Sequence, residues 1–107
     1  MPVLQINFKL NIPAGAYASN SREVVEAIAA VSGLRWKIWI LNEEEKEAGG
    51  IYFFDTDQAL NDYLSGPLVA GMKNHPAFAN VTVKRFQVIE ELTSITRGPV
   101  SSLAAGG

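Results

Sequence analysis

The chain has 107 residues, 48% of them hydrophobic and 19% charged, with a formal net charge of −2. That length suits one domain around one core, and the charge excludes the dense basic stripe that displaces counterions from nucleic acid. There is no cysteine, which excludes disulfide scaffolds, Cys-based zinc sites and thiol nucleophiles. The opening "MPVLQINFKL" lacks the basic and apolar regions of a secretory leader. No apolar run approaches the ~20 residues of a membrane helix. A cytoplasmic protein with no membrane partner is therefore expected.

Residues 3–12 alternate, with Leu4, Ile6, Phe8, Leu10 and Ile12 on one side and Gln5, Asn7, Lys9 and Asn11 on the other, the period of a strand. "PAGAYASNS" (13–21) reads as turn chemistry. In the following "REVVEAIAAVSG", Val24, Ile28 and Val31 have helical spacing and Gly33 serves as a C-cap. A second strand spans 34–41, followed by the polar connection "NEEEKEAG". Its consecutive glutamates lack the spacing and turn glycine of a cation loop, so a solvated loop is expected. A third strand, 50–55, leads into a helix opened by Thr56 or Asp57 with Leu60, Tyr63 and Leu64 as its apolar stripe. Gly66-Pro67 should kink or split that helix, because proline has no N–H for the carbonyl four residues back. "VTVKRFQVIE" (81–90) is the last strand.

The order β-α-β-β-α-β predicts an α+β, ferredoxin-like fold, a four-stranded antiparallel sheet with its helices on one face. The domain is expected over residues 1–92, with 93–107, rich in Ser, Gly and Ala, as a C-terminal turn and flexible tail.

Strand residues three apart point to opposite sides of a sheet, so Trp36 and Trp39 serve different faces. Trp36 groups with Leu34, Ile38 and Ile40, and Trp39 with Arg35, Lys37 and Leu41. In the third strand, Phe53 opposes Tyr52 and Phe54. Two helices cover only one face, yet the other also carries a Trp and large apolar groups. Such a patch is rarely left wet, so a two-fold homodimer is expected to bury it.

Candidate chemistry is sparse. Asn7 is either an amide for a substrate carbonyl or oxyanion or a polar residue at a sheet edge or dimer seam. His75 is the single histidine, so no His-cluster metal site can be built. It is either a solvated loop residue or a general base. Tyr17, Tyr52 and Tyr63 are phenolic donors, and Tyr63 is the best placed, either toward a ligand or as a core tyrosine. Lys37, Lys84 and Arg85 either hold an anion or protect strand surfaces. No Ser/His/Asp set, phosphate loop or dinucleotide fingerprint is present.

The stretch "LRWKIWILNEEEKEAGGIYFFDTDQALNDYL" resembles the YdhR mono-oxygenase family. The resemblance rests on W-K-x-W, then E-A-G-G-I-Y-x-F, then Tyr63 and Leu64. It implies the dimeric α/β-barrel superfamily, whose members include cofactor-independent oxygenases of aromatic compounds and haem-degrading enzymes. The first kind implies a small aromatic substrate, a phenol, hydroquinone or polyketide-like compound, oxidised by O₂ with no cofactor and no metal. Trp36 or Trp39 and Phe54 would then form walls, with Tyr52, Tyr63 and Asn7 as polar contacts and His75 as a base. A non-catalytic dimeric module binding a small apolar ligand would need the same pocket. Haem-degrading relatives use an Asn, a His and a Trp after the second helix, and this sequence has no Trp beyond Trp39.

Overall fold

A computed structural model describes residues 1–100. The strands are β1 (Pro2–Leu10), β2 (Leu34–Asn42), β3 (Glu47–Phe54) and β4 (Phe78–Gln87), and the helices are α1 (Ala14–Ser21), α2 (Val25–Ala29), α3 (Asp57–Leu64), α4 (Pro67–Asn74) and α5 (Glu90–Ile95). The four strands form one sheet in the order β2-β3-β1-β4, with every neighbouring pair antiparallel. This is the ferredoxin-like α+β arrangement expected from the element order.

The alternation in β1 decides which face is core. Leu4, Ile6, Phe8 and Leu10 are buried, with exposures of 4% or less. They pack with Tyr52 and Phe54 of β3, Leu60 and Tyr63 of α3, and Val69 of α4. Each such side chain contributes about 1.5–3 kcal/mol on leaving water, enough to fix the register of every strand.

Gly66-Pro67 splits the second helical region as expected. Gly66 is the N-cap of α4 and Pro67 its first residue, where a missing N–H costs nothing. Thr56 caps α3 by accepting the Ala59 N–H at 3.1 Å. Four expectations need correction. Residues 14–21, read as a turn, form α1, because Pro13 sets the entry and accepts the Tyr17 N–H at 3.1 Å, and burying the Tyr17 ring outweighs the local turn composition. The helix expected over 22–33 is only α2, while Gly33 adopts a φ of +81° in the turn before β2. Glu47, Ala48 and Gly49, assigned to a loop, belong to β3, leaving residues 43–46 as the connection. Finally β4 ends at Gln87, and α5 follows where the strand and a turn were expected.

One irregularity resets a face. The β2–β3 register shifts between Leu34 and Trp36, so Leu34 pairs with Phe54 while Trp36 pairs with Phe53. Leu34 therefore joins the helix-covered core, not Trp36 as strict alternation required. Trp36 stacks on Phe53 across the opposite face (centroids 5.3 Å apart) and donates its indole N–H to the Pro99 carbonyl at 3.0 Å. Residues 96–100 thus return to the sheet beside Trp36, and Val100 is buried. Residues 101–107 of the expected tail lie outside the described residues.

Candidate functional site

The helix-covered face of the sheet does not close completely against its helices. Between them lies a cavity of about 480 Å³ whose lining includes Phe8, Tyr17, Lys37, Trp39, Tyr63 and Phe78. Aromatic side chains from three different strands and two helices make its walls. Phe8 and Phe78 are in contact (ring centroids 4.4 Å), and Tyr17 meets both edge-on at 5.8 and 6.0 Å. α1 therefore exists largely to deliver Tyr17, the one buried residue it carries.

Lys37 and Trp39 enter from β2, two residues apart and so on the same face. The Lys37 ammonium lies 3.4 Å from the centroid of the Trp39 ring and 4.6 Å from that of Tyr52, within cation–π range of both. The two ion pairs found among the described residues are Lys9–Glu47 and Arg35–Asp55, so no carboxylate reaches Lys37 there. Burial without a counter-charge lowers its pKa from 10.5 to about 7, because desolvation penalises the charged form. The path of Lys37 across β3 depends on Gly50, where a Cβ would lie 2.5 Å from Lys37 Cε.

A buried hydroxyl pair supports this floor. Tyr63 donates to the Tyr52 hydroxyl at 3.1 Å, with the rings 5.1 Å apart. Burial pushes the phenols of Tyr52, Tyr63 and Tyr17 up, and the adjacent Tyr63 hydroxyl pushes Tyr52 further. All three are neutral hydrogen-bonding groups at ordinary pH. His75, the C-cap of α4, lines the rim and is exposed. Its Nδ1 accepts the Ala77 N–H at 3.1 Å, so the neutral ring carries its proton on Nε2.

The residues singled out in the sequence separate into two groups. Trp39, Tyr63 and His75 line the cavity, while Tyr52 and Phe54 lie in the core just behind it. Trp36 and Asn7 belong to the other face. Asn7 accepts from Gln5 and donates to Glu47, both at 3.0 Å. The Asn7 amide, then Lys9, hold the Glu47 carboxyl below its ordinary range. Glu47, read as part of a solvated loop, is a strand residue in a small polar network. Lys37 is the residue whose weight the sequence understated. Its alternation with Trp39 was visible, but the face it shares with Trp39 became a cavity wall only once the helices were placed.

A search of curated protein sequences finds no match. Solved structures with the same fold include a protein of unknown function from Nitrosomonas europaea, 14% identical with a TM-score of 0.69, over 82% of this chain and 88% of that one. SnoaB, a cofactor-independent oxygenase from Streptomyces nogalater, is 13% identical with a TM-score of 0.65, over 82% and 93%. The heme-degrader MhuD from Mycobacterium tuberculosis is 18% identical with a TM-score of 0.62, over 81% and 95%. At these identities the likeness is one of fold. The family model described as "Putative mono-oxygenase ydhR" matches residues 3–99. The chain belongs to this mono-oxygenase family.

Proposed function

We propose that the protein is a cofactor-independent mono-oxygenase of a small aromatic substrate, a phenol, hydroquinone or polyketide-like compound. The observation that carries this reading is the aromatic-walled cavity between sheet and helices, which suits a flat ring and keeps water from a reactive anion. Membership of a mono-oxygenase family and the fold shared with SnoaB support it.

For a phenol whose keto form contains a CH₂ group, as in an anthrone, the chemistry balances without a reductant. The substrate loses a proton and its anion passes one electron to O₂. The radical and superoxide then combine into a C–O bond. Loss of the second C–H proton breaks the peroxide O–O bond, leaving a C=O group and one water. The chain's part is to bind the ring, exclude water and manage protons.

The donor set speaks against haem, the ligand of MhuD. A metal-ligating histidine donates its second ring N–H to an acceptor, whereas His75 Nδ1 accepts from Ala77.

We further propose a homodimer through the open face of the sheet, where Ile38 and Phe86 are 51% and 49% exposed. Oxygen uptake with a panel of anthrones and hydroquinones tests the activity. One O₂ consumed per ketone formed from an anthrone, insensitive to added chelator, is the expected result. Tight binding of the same compounds without oxygen uptake would leave a non-catalytic ligand-binding module instead.

A further inference from the structure

We propose that Lys37 accepts the acidic proton of the cavity's ligand and then holds the resulting anion, so that the ligand is a phenol or enol bound as its conjugate base. This rests on the reading of the cavity as the ligand site, though not on any oxidation there. The side chain lies on the cavity wall with its Nζ 3.4 Å over the Trp39 ring. Neither of the ion pairs among the described residues involves it. An ammonium left in that position lacks the counter-ion that buried cations ordinarily have. A phenolate or enolate entering the cavity supplies one.

The surroundings leave Lys37 as the proton acceptor. Tyr63 of α3 and Tyr17 of α1 line the same cavity, Tyr52 of β3 lies behind it against Lys37, and burial holds each of these phenols neutral. His75, at the end of α4, has its Nδ1 lone pair taken by the Ala77 N–H. Glu23, between α1 and α2, is an exposed residue of the cavity lining. Lys37 itself titrates at about 7, so near neutrality much of it is the free amine, a base matched to the working pH. The transfer is simple to balance. The ligand O–H bond breaks, its electron pair stays on oxygen, and the proton becomes the third N–H of the ammonium. That ammonium pairs with the new anion and is further held by the Trp39 ring face. Gly50 is a positioning residue, because any Cβ there would meet Lys37 Cε and the Tyr52 ring.

The test uses methyl 4-hydroxybenzoate, whose ionised and neutral forms absorb differently, and needs no oxygen. At pH about 7.5 Lys37, titrating near 7, is largely amine. Binding to the wild-type protein should convert the probe to its phenolate spectrum. In Lys37→Met the probe should bind with its neutral spectrum, the ionised fraction falling about tenfold or more. A neutral spectrum on the wild type, or an undiminished phenolate band on Lys37→Met, overturns the proposal. Should Lys37→Met fail to fold, Lys37→Arg carries the comparison, because a guanidinium is already charged and takes up no proton. Binding to Lys37→Arg should release a proton to the buffer, seen as a binding heat that varies with the buffer's ionisation enthalpy. The wild type should release almost none, and equal release from both proteins overturns the assignment. Oxygen uptake can fail with these results intact, which would remove the oxygenase reading and leave Lys37 in its role.

Discussion

At residue scale, the pair Gly49-Gly50 and the side chain of Lys37 make one local device. A Cβ at Gly49 would collide with the Ile6 carbonyl oxygen of β1, whereas one at Gly50 would strike the far end of Lys37. The first glycine serves the close approach of two backbones, and the second leaves room for a side chain to lie flat over the sheet. What lies there is a desolvated amine, which has a thermodynamic signature. The unfolded chain keeps the Lys37 proton up to about 10.5, while the folded protein releases it at about 7. Between those values the unfolded state binds the extra proton, so wild-type stability rises with pH across that window. Below about 7 Lys37 imposes its full penalty. Lys37→Met should therefore be more stable than wild type at pH 6, by roughly 1–3 kcal/mol after allowing for partial exposure to solvent. The gain should shrink steadily toward pH 10.5. Denaturant titrations at several pH values measure it, and a pH-independent difference would show that Lys37 is not desolvated in the folded protein.

At element scale, the helices hold groups against the sheet that no single element could keep in place. The Tyr63–Tyr52 hydroxyl bond joins α3 to β3 across the core. Removing one hydroxyl leaves its buried partner unsatisfied, at a cost of about 1–3 kcal/mol. Tyr63→Phe and Tyr52→Phe should each destabilise by that order. The double variant should cost clearly less than the two single changes together, because neither hydroxyl then remains to be satisfied. Additive losses in a double-mutant cycle would mean that the pair is not coupled.

The same elements explain what could be read from the chain beforehand. Strand alternation in β1 and the Gly66-Pro67 break were legible because each is a local rule with one outcome. α1 was not, since "PAGAYASNS" has turn composition and becomes helical through the burial of Tyr17 against Phe8 and Phe78. The cavity was legible only in part. Tyr63 could be assigned to the side of its helix that meets the sheet and the two tryptophans to opposite faces, but which Trp meets the helices was settled only by their placement. Asn7, either a ligand contact or a polar seam residue, lies on the opposite face with Glu47. The value of Lys37 depends on the absence of a neighbour, and a missing carboxylate has no sequence pattern.

At the scale of the whole molecule, the two faces of the sheet have different fates. One is closed by α1–α4 around the cavity. The other is covered beside Trp36 by the returning residues 96–100, while Ile38 and Phe86 remain about half exposed. Ile89, Leu92 and Ile95, on α5 and its N-cap, are exposed at 63%, 59% and 70%. Apolar groups on this scale mark a contact surface, and a two-fold pairing would use the same patch from both copies. Ile38→Glu separates this cause of exposure from a fold requirement. In a lone chain the side chain already reaches water, so the variant should fold with an unchanged circular dichroism spectrum. In a symmetric pair it would place two carboxylates in one interface, each without a partner. Light scattering should find the wild type at twice the 11.6 kDa chain mass and Ile38→Glu at the single chain mass. A wild-type protein of 11.6 kDa would show that this face stays in water, and the apolar groups on it would then need a different partner.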